Sequence, residues 1–425
     1  MKKLSFFCLI SILFSTHIWS LDLVIKKETK IKNPTIEKTV LFADKMAFSE
    51  KDNIIILNLE NPTQKIKIAN ANKELMYLGF INAETLYIAY ADNTVEIWDI
   101  TSAETALHDP FYINSRSVIK DIITSNNFLF VAYNNGIIKR FNNAVKNIVP
   151  DEFPGISYHS LVSRHHKIFE DFDIKSKIKE LNINCQGNFQ EVSIAVNNDG
   201  TLMTIILEKG QAPLLLDLSN GHFSSLHNVL KTKNMTKAIF QKDNAIVLSN
   251  PSINSPLVKI NNGEKIIIAN NVSLIDAVED YYILKQGQSP LKVLHNEKDL
   301  IELINNKYKN ILKPIFIKIS QAGIMVICES YNNNQKLLIY DLATLTTLMS
   351  IKTNNCKDAL LSDNGSHMII QDDNGLTICE LPGSHERELF LSKVKFLETN
   401  PTITEEKLAE ILQLSFKSIE KIMGL

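Results

Sequence analysis

A strand–turn–strand sequence pattern recurs about every 40 residues, and it constrains the possible fold of this chain more than any other feature. It is clearest in residues 85–100, where the run TLYIAY is followed by the turn residues Ala-Asp-Asn and the run TVEIWDI. Alternating apolar positions around an Asp-Asn pair predict a β-hairpin here. Less regular copies lie at 129–141, 324–342 and 361–381, and weaker ones at 54–58 and 214–218.

The spacing of these copies predicts how many structural units the chain contains. The intervals are 41 residues from Asn58 to Asp99, 43 from Asp99 to Asn142 and 39 from Asp341 to Glu380. A unit of four strands needs about 40 to 45 residues. The longer gaps, 75 residues from Asn142 to Asp217 and 124 from Asp217 to Asp341, leave room for roughly one and two further units. The candidates in those gaps are 160–174, 245–260 and 281–294, and all three match the pattern poorly. We therefore expect an all-β fold of seven or eight four-stranded units.

This repeated pattern resembles the WD40 repeat, whose units end in a Trp-Asp pair with an Asp six residues before the Trp. Trp98 and Asp99 form such a pair, and Asp92 precedes Trp98 by six residues. The corresponding positions in other copies are Asn135 and Phe141, Asp217, Asn334 with Tyr340 and Asp341, and Asp373. The resemblance implies a seven- or eight-bladed β-propeller over residues 22–383, in which these residues are structural and Trp98 is buried between blades.

The chain departs from the WD40 pattern in its polar residues. A full unit carries a Gly-His pair before its first strand and a Ser or Thr on its second strand. This chain lacks the Gly-His pair at the expected places, and Ile88-Ala89-Tyr90 offers no hydroxyl beyond that of Tyr90. We therefore expect some units to rest on apolar packing alone.

Beyond Pro382 and Gly383 the apolar period changes from 2 to 3.6, which predicts a short α-helical hairpin in residues 384–425. Its helices are expected at Glu386–Leu397 and Glu405–Met423, the second preceded by a capping-box pattern at 402–405. The second helix carries an apolar stripe that includes Leu408, Ile411, Leu412 and Ile419. We favour docking of this stripe on the rest of the protein over binding of a separate partner, and both interpretations stay open.

The N-terminus has the features of a secretory signal peptide in residues 1–20. Lys2 and Lys3 precede an apolar run from Leu4 to Phe14, and the following residues become polar towards Ser20. The run is too short to span a bilayer, which needs about 20 residues. We expect cleavage near Ser20 and export of a bacterial protein to the periplasm or the medium, with no integral membrane segment left. The alternatives are a buried N-terminal strand and an uncleaved anchor on an envelope-assembly component.

Composition and motifs offer little support for a catalytic, cofactor-binding or nucleic-acid-binding role. The formal net charge is −2, and arginine, which phosphate and guanine recognition favours, is scarce, so we expect no nucleic-acid binding. We find no nucleophile elbow, phosphate loop or dinucleotide motif, and predict no catalytic residue, cofactor or metal. The best cluster, 164–166 with Glu170, Asp171 and Asp173, is better interpreted as a solvated loop.

The cysteines of the processed chain are Cys185, Cys328, Cys356 and Cys379, without a C-x-x-C spacing. We favour buried free thiols, and one or two disulfides remain open.

Two functional hypotheses from different classes follow. The leading one is a non-catalytic, monomeric, exported scaffold that binds an unidentified protein through its loops. The alternative is a periplasmic propeller enzyme or sensor that binds a small molecule or metal at a central channel.

Overall fold

The computed structural model describes residues 23, 25–32, 36–69, 73–101, 111–114, 116–142, 169–180, 192–207, 212–230, 235–249, 256–287, 289–308, 312–331, 334–353 and 355–400. The chain divides into two compact units. Residues 31–317 form one, and the residues up to 30 together with those from 318 onward form the other.

Eight four-stranded sheets make up most of the described chain. The first strand, β1 (Lys27–Lys32), belongs to the last sheet. Sheet 1 comprises β2 (Ile36–Phe42), β3 (Lys45–Glu50), β4 (Asn53–Asn58) and β5 (Lys65–Ala69); sheet 2 comprises β6 (Leu75–Asn82), β7 (Thr85–Tyr90), β8 (Thr94–Asp99) and β9 (Phe111–Asn114); sheet 3 comprises β10 (Ile119–Ser125), β11 (Phe128–Tyr133), β12 (Ile137–Asn142) and β13 (Phe169–Asp173). Sheet 4 comprises β14 (Ser193–Val196), β15 (Leu202–Ile206), β16 (Leu214–Asp217) and β17 (Phe223–Ser225); sheet 5 comprises β18 (Lys237–Phe240), β19 (Ile246–Ser249), β20 (Pro256–Asn261) and β21 (Glu264–Asn270); sheet 6 comprises β22 (Ser273–Val278), β23 (Tyr281–Lys285), β24 (Lys292–His295) and β25 (Lys298–Asp299). Sheet 7 comprises β26 (Pro314–Ile319), β27 (Ile324–Tyr331), β28 (Asn334–Asp341) and β29 (Thr346–Thr353), and sheet 8 joins β1 to β32 (Gly375–Glu380), β31 (His367–Asp372) and β30 (Asp358–Leu361).

The apolar core of residues 31–317 lies between consecutive sheets. Ala47, Ile54 and Ile56 of sheet 1 pack in one cluster with Leu86 and Ile88 of sheet 2. Comparable clusters join sheet 2 to 3, 3 to 4, 4 to 5 and 5 to 6. Sheets 2 to 5 therefore have both faces covered by neighbouring sheets, which one sheet alone could not achieve.

The second strands of the sheets are buried along both faces. Every residue of β7 and of β19 is buried, and so is every residue of β11 after Phe128. A strand covered on both sides is an unbroken apolar run, and this explains the stretches TLYIAY and FLFVAY.

Asparagine supplies much of the turn chemistry. Eight of the thirteen described non-glycine residues with positive φ are asparagines, among them Asn93 at +66° in the turn between β7 and β8. Asparagine tolerates this left-handed conformation better than most residues, so tight hairpins form although the chain has only 14 glycines.

The predicted all-β fold of four-stranded units is confirmed, with eight sheets and a C-terminal helix. Two further units lie between Asp217 and Asp341, as expected, and they are sheets 5 and 6. The prediction of a further four-stranded unit between Asn142 and Asp217 is wrong, because the described residues of this interval form no additional sheet. The interval there holds β13, a short helix and the start of sheet 4, because the fourth strand of sheet 3 begins only at Phe169.

Four helices occur in the described chain: α1 (Ile174–Glu180), α2 (His227–Leu230), α3 (Leu300–Tyr308) and α4 (Ser384–Thr399). The first helix of the predicted C-terminal hairpin is confirmed as α4. At its start the backbone N–H of Gly383 donates to Glu386 Oε2 over 2.8 Å, a common way to satisfy a helix N-terminus. The expected second helix and its stripe, Leu408, Ile411, Leu412 and Ile419, lie outside the described residues.

No helix among the described residues is long and apolar enough to cross a membrane. Cys328, Cys356 and Cys379 are buried free thiols, and Cys185 lies outside the described residues.

Candidate interaction surface

The residues that resemble the WD40 pattern most closely meet in sheet 2. Asp92 lies in the turn between β7 and β8, where its Oδ1 accepts a hydrogen bond from the Thr94 N–H over 2.9 Å. Its carboxylate also pairs with Lys73 Nζ at 3.2 Å. Partial burial acts to raise the pKa of Asp92, but the Thr94 hydrogen bonds and the Lys73 ammonium outweigh it and hold the pKa below its ordinary value.

Trp98 is partly buried against the cluster between sheets 1 and 2, rather than fully buried as expected. Its indole Nε1 donates to Glu96 Oε2 over 3.1 Å, and Tyr90 Oη donates to the same oxygen over 3.0 Å. The other Glu96 oxygen lies 4.0 Å from Lys73 Nζ. Sheet 2 therefore contains a buried polar network centred on Glu96, which sequence reasoning missed because Glu96 stands in an alternating strand pattern at a position expected to face solvent.

Most of the other predicted repeat positions stabilise turns. The carboxylate or amide oxygen accepts a backbone N–H two or three residues ahead in each case, with these pairs: Asp99 with Thr101 at 3.0 Å, Asn135 with Ile137 at 3.1 Å, Asp217 with Ser219 at 2.9 Å and Asp341 with Thr344 at 2.8 Å. Side-chain oxygens at such positions replace a missing backbone acceptor. These contacts position loops and bring no catalytic group together.

The remaining predicted positions are distributed among several sheets. Phe141 and Tyr340 are buried in sheets 3 and 7. Asn334 begins β28, opposite Tyr331. Asp373 lies in the turn between β31 and β32, where it accepts from Asn355 Nδ2 over 2.9 Å and pairs with Lys357 at 3.0 Å.

The described half of the His/carboxylate cluster is engaged in pairs across two strands. Glu170 pairs with Arg140, and Asp171 pairs with Lys139 at 3.3 Å, between β12 and β13. Asp173 Oδ1 accepts from the Ser176 N–H over 2.9 Å at the start of α1. Residues 164–166 lie outside the described chain. Within the described residues, no group of three or more His, Cys, Asp and Glu side chains is placed to hold a metal ion.

The first strands of consecutive sheets are tied together within residues 31–317. Tyr77 Oη of β6 donates to the Lys120 carbonyl of β10 over 3.3 Å. Asp121 Oδ2 of β10 accepts from Ile194 N–H of β14 over 2.8 Å and from Ser193 Oγ over 3.1 Å. Side chains of different types therefore carry the same kind of link from one sheet to the next.

A second set of links joins the hairpins between the first and second strands of sheets 1 to 6. We call these hairpins the hairpin row: residues 43–45, 82–84, 125–127, 197–201, 241–245 and 279–280. Every consecutive pair is joined by a hydrogen bond: Lys45 Nζ to the Ala83 carbonyl at 2.6 Å, Asn82 Nδ2 to Asn127 Oδ1 at 2.6 Å, Ser125 Oγ to the Asn198 carbonyl at 3.1 Å, Asn197 Nδ2 to Asn244 Oδ1 at 2.9 Å, and Gln241 Nε2 to the Glu279 carbonyl at 2.7 Å. Six loops are therefore held in one continuous arrangement.

Asn197 is the best-anchored side chain of the hairpin row. It is fully buried, and its Oδ1 accepts from the backbone N–H groups of Thr201 and Leu202 over 2.8 and 2.9 Å. Its Nδ2 donates to Asn244 in the next hairpin. The amide of Asn197 thus shapes its own turn and fixes the neighbouring one.

Gln241 makes equivalent links in the next sheet. It is buried, and its Nε2 donates to Tyr282 Oη over 2.6 Å as well as to the Glu279 carbonyl. Burial raises the pKa of Tyr282 to about 12, so the phenol stays neutral at physiological pH. Lys259 lies between Asp243 and Asp280, at 3.3 and 3.7 Å, and draws these two carboxylates together.

The exposed atoms of the hairpin row are mainly carboxylates and amides. The row contains six carboxylates (Asp44, Glu84, Asp199, Asp243, Glu279 and Asp280) against two ammonium groups (Lys45 and Lys242), a formal net charge of −4. The Lys259 ammonium between Asp243 and Asp280 reduces this to −3 at the surface. Glu84, Asp199 and Glu279 are exposed. A fixed, acidic, amide-rich surface can make many directional hydrogen bonds and favours a positively charged counterpart.

No protein-family model and no curated protein matches the chain. Among solved structures, it is similar to the C-terminal WD40 domain of Sif2, with a TM-score of 0.50 and 10% sequence identity over 85% of this chain and 100% of that one. The chain has a WD40-like β-propeller fold. Its eight sheets are the blades.

Two further solved structures resemble the propeller. A computationally designed protein, Ika8, has a TM-score of 0.49 at 13% identity, covering 85% of this chain and 99% of that one. The dihydro-heme d1 dehydrogenase NirN in complex with DHE has a TM-score of 0.49 at 10% identity, covering 75% of this chain and 66% of that one. At such identities the likeness concerns the fold alone.

Proposed function

We propose that this propeller is a non-catalytic scaffold whose hairpin row binds another protein. The observation that carries the proposal is the unbroken series of hydrogen bonds that joins the six hairpins of the hairpin row. Binding costs less free energy when the loops need no ordering, because little side-chain and backbone entropy remains to be lost. A linked row of loops therefore suits recognition.

The charge of the row indicates the kind of partner. Exposed carboxylates at Glu84, Asp199 and Glu279 would attract a basic protein surface and repel nucleic-acid phosphates. Such electrostatic complementarity mainly raises the association rate and weakens with salt. The expected complex accordingly forms fastest at low ionic strength.

We further propose that the scaffold acts outside the cytoplasm. The proposal is supported by Lys2 and Lys3 before the short apolar run Leu4–Phe14. Cleavage after Ser20 would leave β1, which begins at Lys27, intact. Mass spectrometry of the native protein should find a mature N-terminus close to Leu21, and a retained Met1 in a soluble cytoplasmic fraction would contradict export.

Charge reversal tests the binding surface directly. The double variant Glu84→Lys, Asp199→Lys changes two exposed side chains of the row. A matched control, Asp52→Lys, Glu302→Lys, changes two exposed carboxylates outside the row, one in the turn between β3 and β4 and one on α3. Proteins captured from native extract by the unaltered propeller would be identified, and their affinities for all three proteins measured.

We expect the row variant to bind at least about tenfold more weakly, which corresponds to about 1.4 kcal/mol, while the control binds normally. Equal binding by the row variant would refute the surface. A partner lost equally by both variants would indicate a general charge effect. If no protein is captured and a metal or small molecule instead raises the melting temperature, the result favours the hypothesis of a sensor or enzyme over that of a scaffold.

A further inference from the structure

Asparagine followed by glycine occurs five times in the sequence, at Asn135, Asn220, Asn262, Asn364 and Asn374. Asparagine is a thermolabile residue, and it loses its side-chain amide most readily in this dipeptide. Glycine has no Cβ, so its backbone nitrogen can approach the preceding side chain and attack the amide carbon. Hydrogen bonds that hold the glycine N–H or the asparagine amide slow this reaction. The surroundings of each pair therefore determine which asparagine reacts first.

Three of the pairs are held in their turns at both reacting groups. The glycine N–H donates to a backbone carbonyl in each: Gly136 to Tyr133 at 3.1 Å, Gly221 to Asp217 at 2.8 Å and Gly365 to Ser362 at 2.8 Å. The asparagine Oδ1 accepts a backbone N–H in each: Asn135 from Ile137 at 3.1 Å, Asn220 from His222 at 2.7 Å and Asn364 from Ser366 at 3.0 Å. In the fourth pair, Gly375 is the first residue of β32 and lies opposite Asp372 in the strand ladder. The backbone at the attacking nitrogen is therefore fixed in all four.

The pair Asn262-Gly263 differs from the other four. It is the turn of the hairpin between β20 and β21, whose ladder closes at Asn261 opposite Glu264. Both turn residues are exposed, with positive φ values of 49° and 80°. Among the described residues, neither the Gly263 N–H nor the Asn262 amide has a hydrogen-bond partner. A Cβ added at Gly263 would meet no atom within 4 Å, so no neighbouring group crowds this turn.

We propose that Asn262 is a site of spontaneous deamidation, and that this modification adds a carboxylate beside the hairpin row. The Gly263 nitrogen attacks Cγ of Asn262 and forms a succinimide ring. The bond from Cγ to Nδ2 breaks, and the amide leaves as ammonia, which takes the proton of the glycine nitrogen. Water then opens the ring. Cleavage between the nitrogen and Cγ gives aspartate, and cleavage between the nitrogen and the main-chain carbonyl carbon gives isoaspartate.

The new carboxylate lies at the same end of sheet 5 as the 241–245 hairpin of the row. Ile260 pairs with Ile246, and Asn261 Nδ2 donates to Asp243 Oδ2 over 3.4 Å. The modification therefore makes the acidic surface more negative by one charge. Its effect on binding rests on the proposed function, whereas the modification itself does not.

The experiment uses the full folded chain, incubated in warm buffer at neutral pH and sampled over time. Peptides are mapped by mass spectrometry after digestion in heavy-oxygen water, which marks any deamidation that occurs during preparation. We expect Asn262 to convert at least about fivefold faster than each of the other four asparagines, because one hydrogen bond that must break first slows a reaction by about that factor. In the denatured chain, all five should convert at similar rates.

Two results would overturn the modification. One is an Asn262 that stays intact, or reacts no faster than the other four, in the folded protein. The other is a preference for Asn262 that persists in the denatured chain, since the neighbouring sequence would then explain it. Asn262→Gln should abolish the modified peptide, because the longer side chain closes a ring far less readily.

The variant Asn262→Asp reproduces the aspartate product and tests its effect on the row. It should associate about twofold faster with a captured basic partner at low ionic strength, and this gain should vanish at high salt. An unchanged association rate would remove the link between the modification and the row. The peptide map needs no partner, so failure of the proposed function and failure of the modification are told apart.

Discussion

Among single residues, Asp121 shows how a polar side chain serves the fold at an electrostatic cost. It lies on β10 and is the acceptor for Ile194 and Ser193 of sheet 4. Burial raises its pKa, although those hydrogen bonds and one from the Ile122 N–H act in the opposite direction. Burial raises the pKa of Tyr87 to about 12, and the nearby Asp121 carboxylate adds to this shift.

The raised pKa of Asp121 makes stability depend on pH with a definite sign. The folded state holds this proton more tightly than the unfolded chain, in which an Asp has a pKa of about 3.9. Its contribution to stability is then fully present below about pH 3.9 and is lost as the pH rises through the folded pKa. Asp121→Asn cannot ionise, so its stability deficit relative to the unaltered protein should shrink as the pH rises from about 4.

Chemical denaturation of both proteins between about pH 3.5 and 7 measures this difference. The comparison cancels the titration of every other group, because only residue 121 differs. A deficit that stays constant, or grows with pH, would show that burial does not dominate the electrostatics of Asp121.

At the scale of elements, the hairpins of sheets 4 and 5 depend on a single amide. Asn197→Ala leaves the N–H groups of Thr201 and Leu202 without their acceptor and removes the bond to Asn244. Unsatisfied buried donors cost about 1 to 3 kcal/mol each, and partial access to water reduces that. We expect a loss of about 2 to 4 kcal/mol in the free energy of unfolding, measured with urea.

Asn198→Ala is the matched control for this hairpin. Asn198 is exposed and contributes to the row through its backbone carbonyl, which the substitution keeps. This substitution should lower the free energy of unfolding by less than about 0.5 kcal/mol. Similar losses for both variants would mean that the turn tolerates the missing amide.

The elements that could be predicted from sequence are those whose signal is local. The runs TLYIAY and TVEIWD and the Asp92-Asn93 turn between them needed only alternation and turn chemistry, and they form β7 and β8. The links of the hairpin row could not be predicted in this way. Asn82, Ser125 and Gln241 end or directly follow the first strand of their sheets, yet they are three different residue types, so no repeated residue in the sequence identifies them. Their bonds depend on the packing of one sheet against the next.

The buried network at Glu96 was not predicted and the unit expected before Asp217 is not found among the described residues, for related reasons. A charged residue in an alternating strand is expected to face solvent, and only the meeting of Tyr90 and Trp98 on its oxygen reverses that expectation. The long interval after Asn142 suggested one more unit because length alone does not show that the fourth strand of sheet 3 begins only at Phe169.

On the scale of the whole molecule, α4 belongs to the fold and not to a free tail. Phe390 is buried, and Glu386 pairs with Lys26 at 2.7 Å. The Arg387 guanidinium lies near Gly365, where an added Cβ would sit 3.1 Å from it. A chain that ends at Pro382 should expose this apolar surface, melt about 2 to 5 °C lower and aggregate more readily.

Substitution of Leu408, Ile411 and Ile419 by Lys in the full chain separates α4 from the residues after it. If the predicted second helix docks, these changes also lower the melting temperature. Unchanged stability with loss of a captured partner would favour the partner-binding interpretation of that stripe instead. A truncated chain that melts normally would contradict the role given to α4.

The pairing of β1 with β32 has a consequence for how the protein is made. Lys27 leaves the ribosome early, whereas Glu380 follows 353 residues later, about 20 to 70 s at ordinary rates of synthesis. For that time β1 has no partner strand, and an unpaired edge invites wrong associations. Any chain that stops short of Gly375 keeps this defect permanently. Premature termination, even close to the end of the message, should therefore yield a product that quality control can recognise by its first strand.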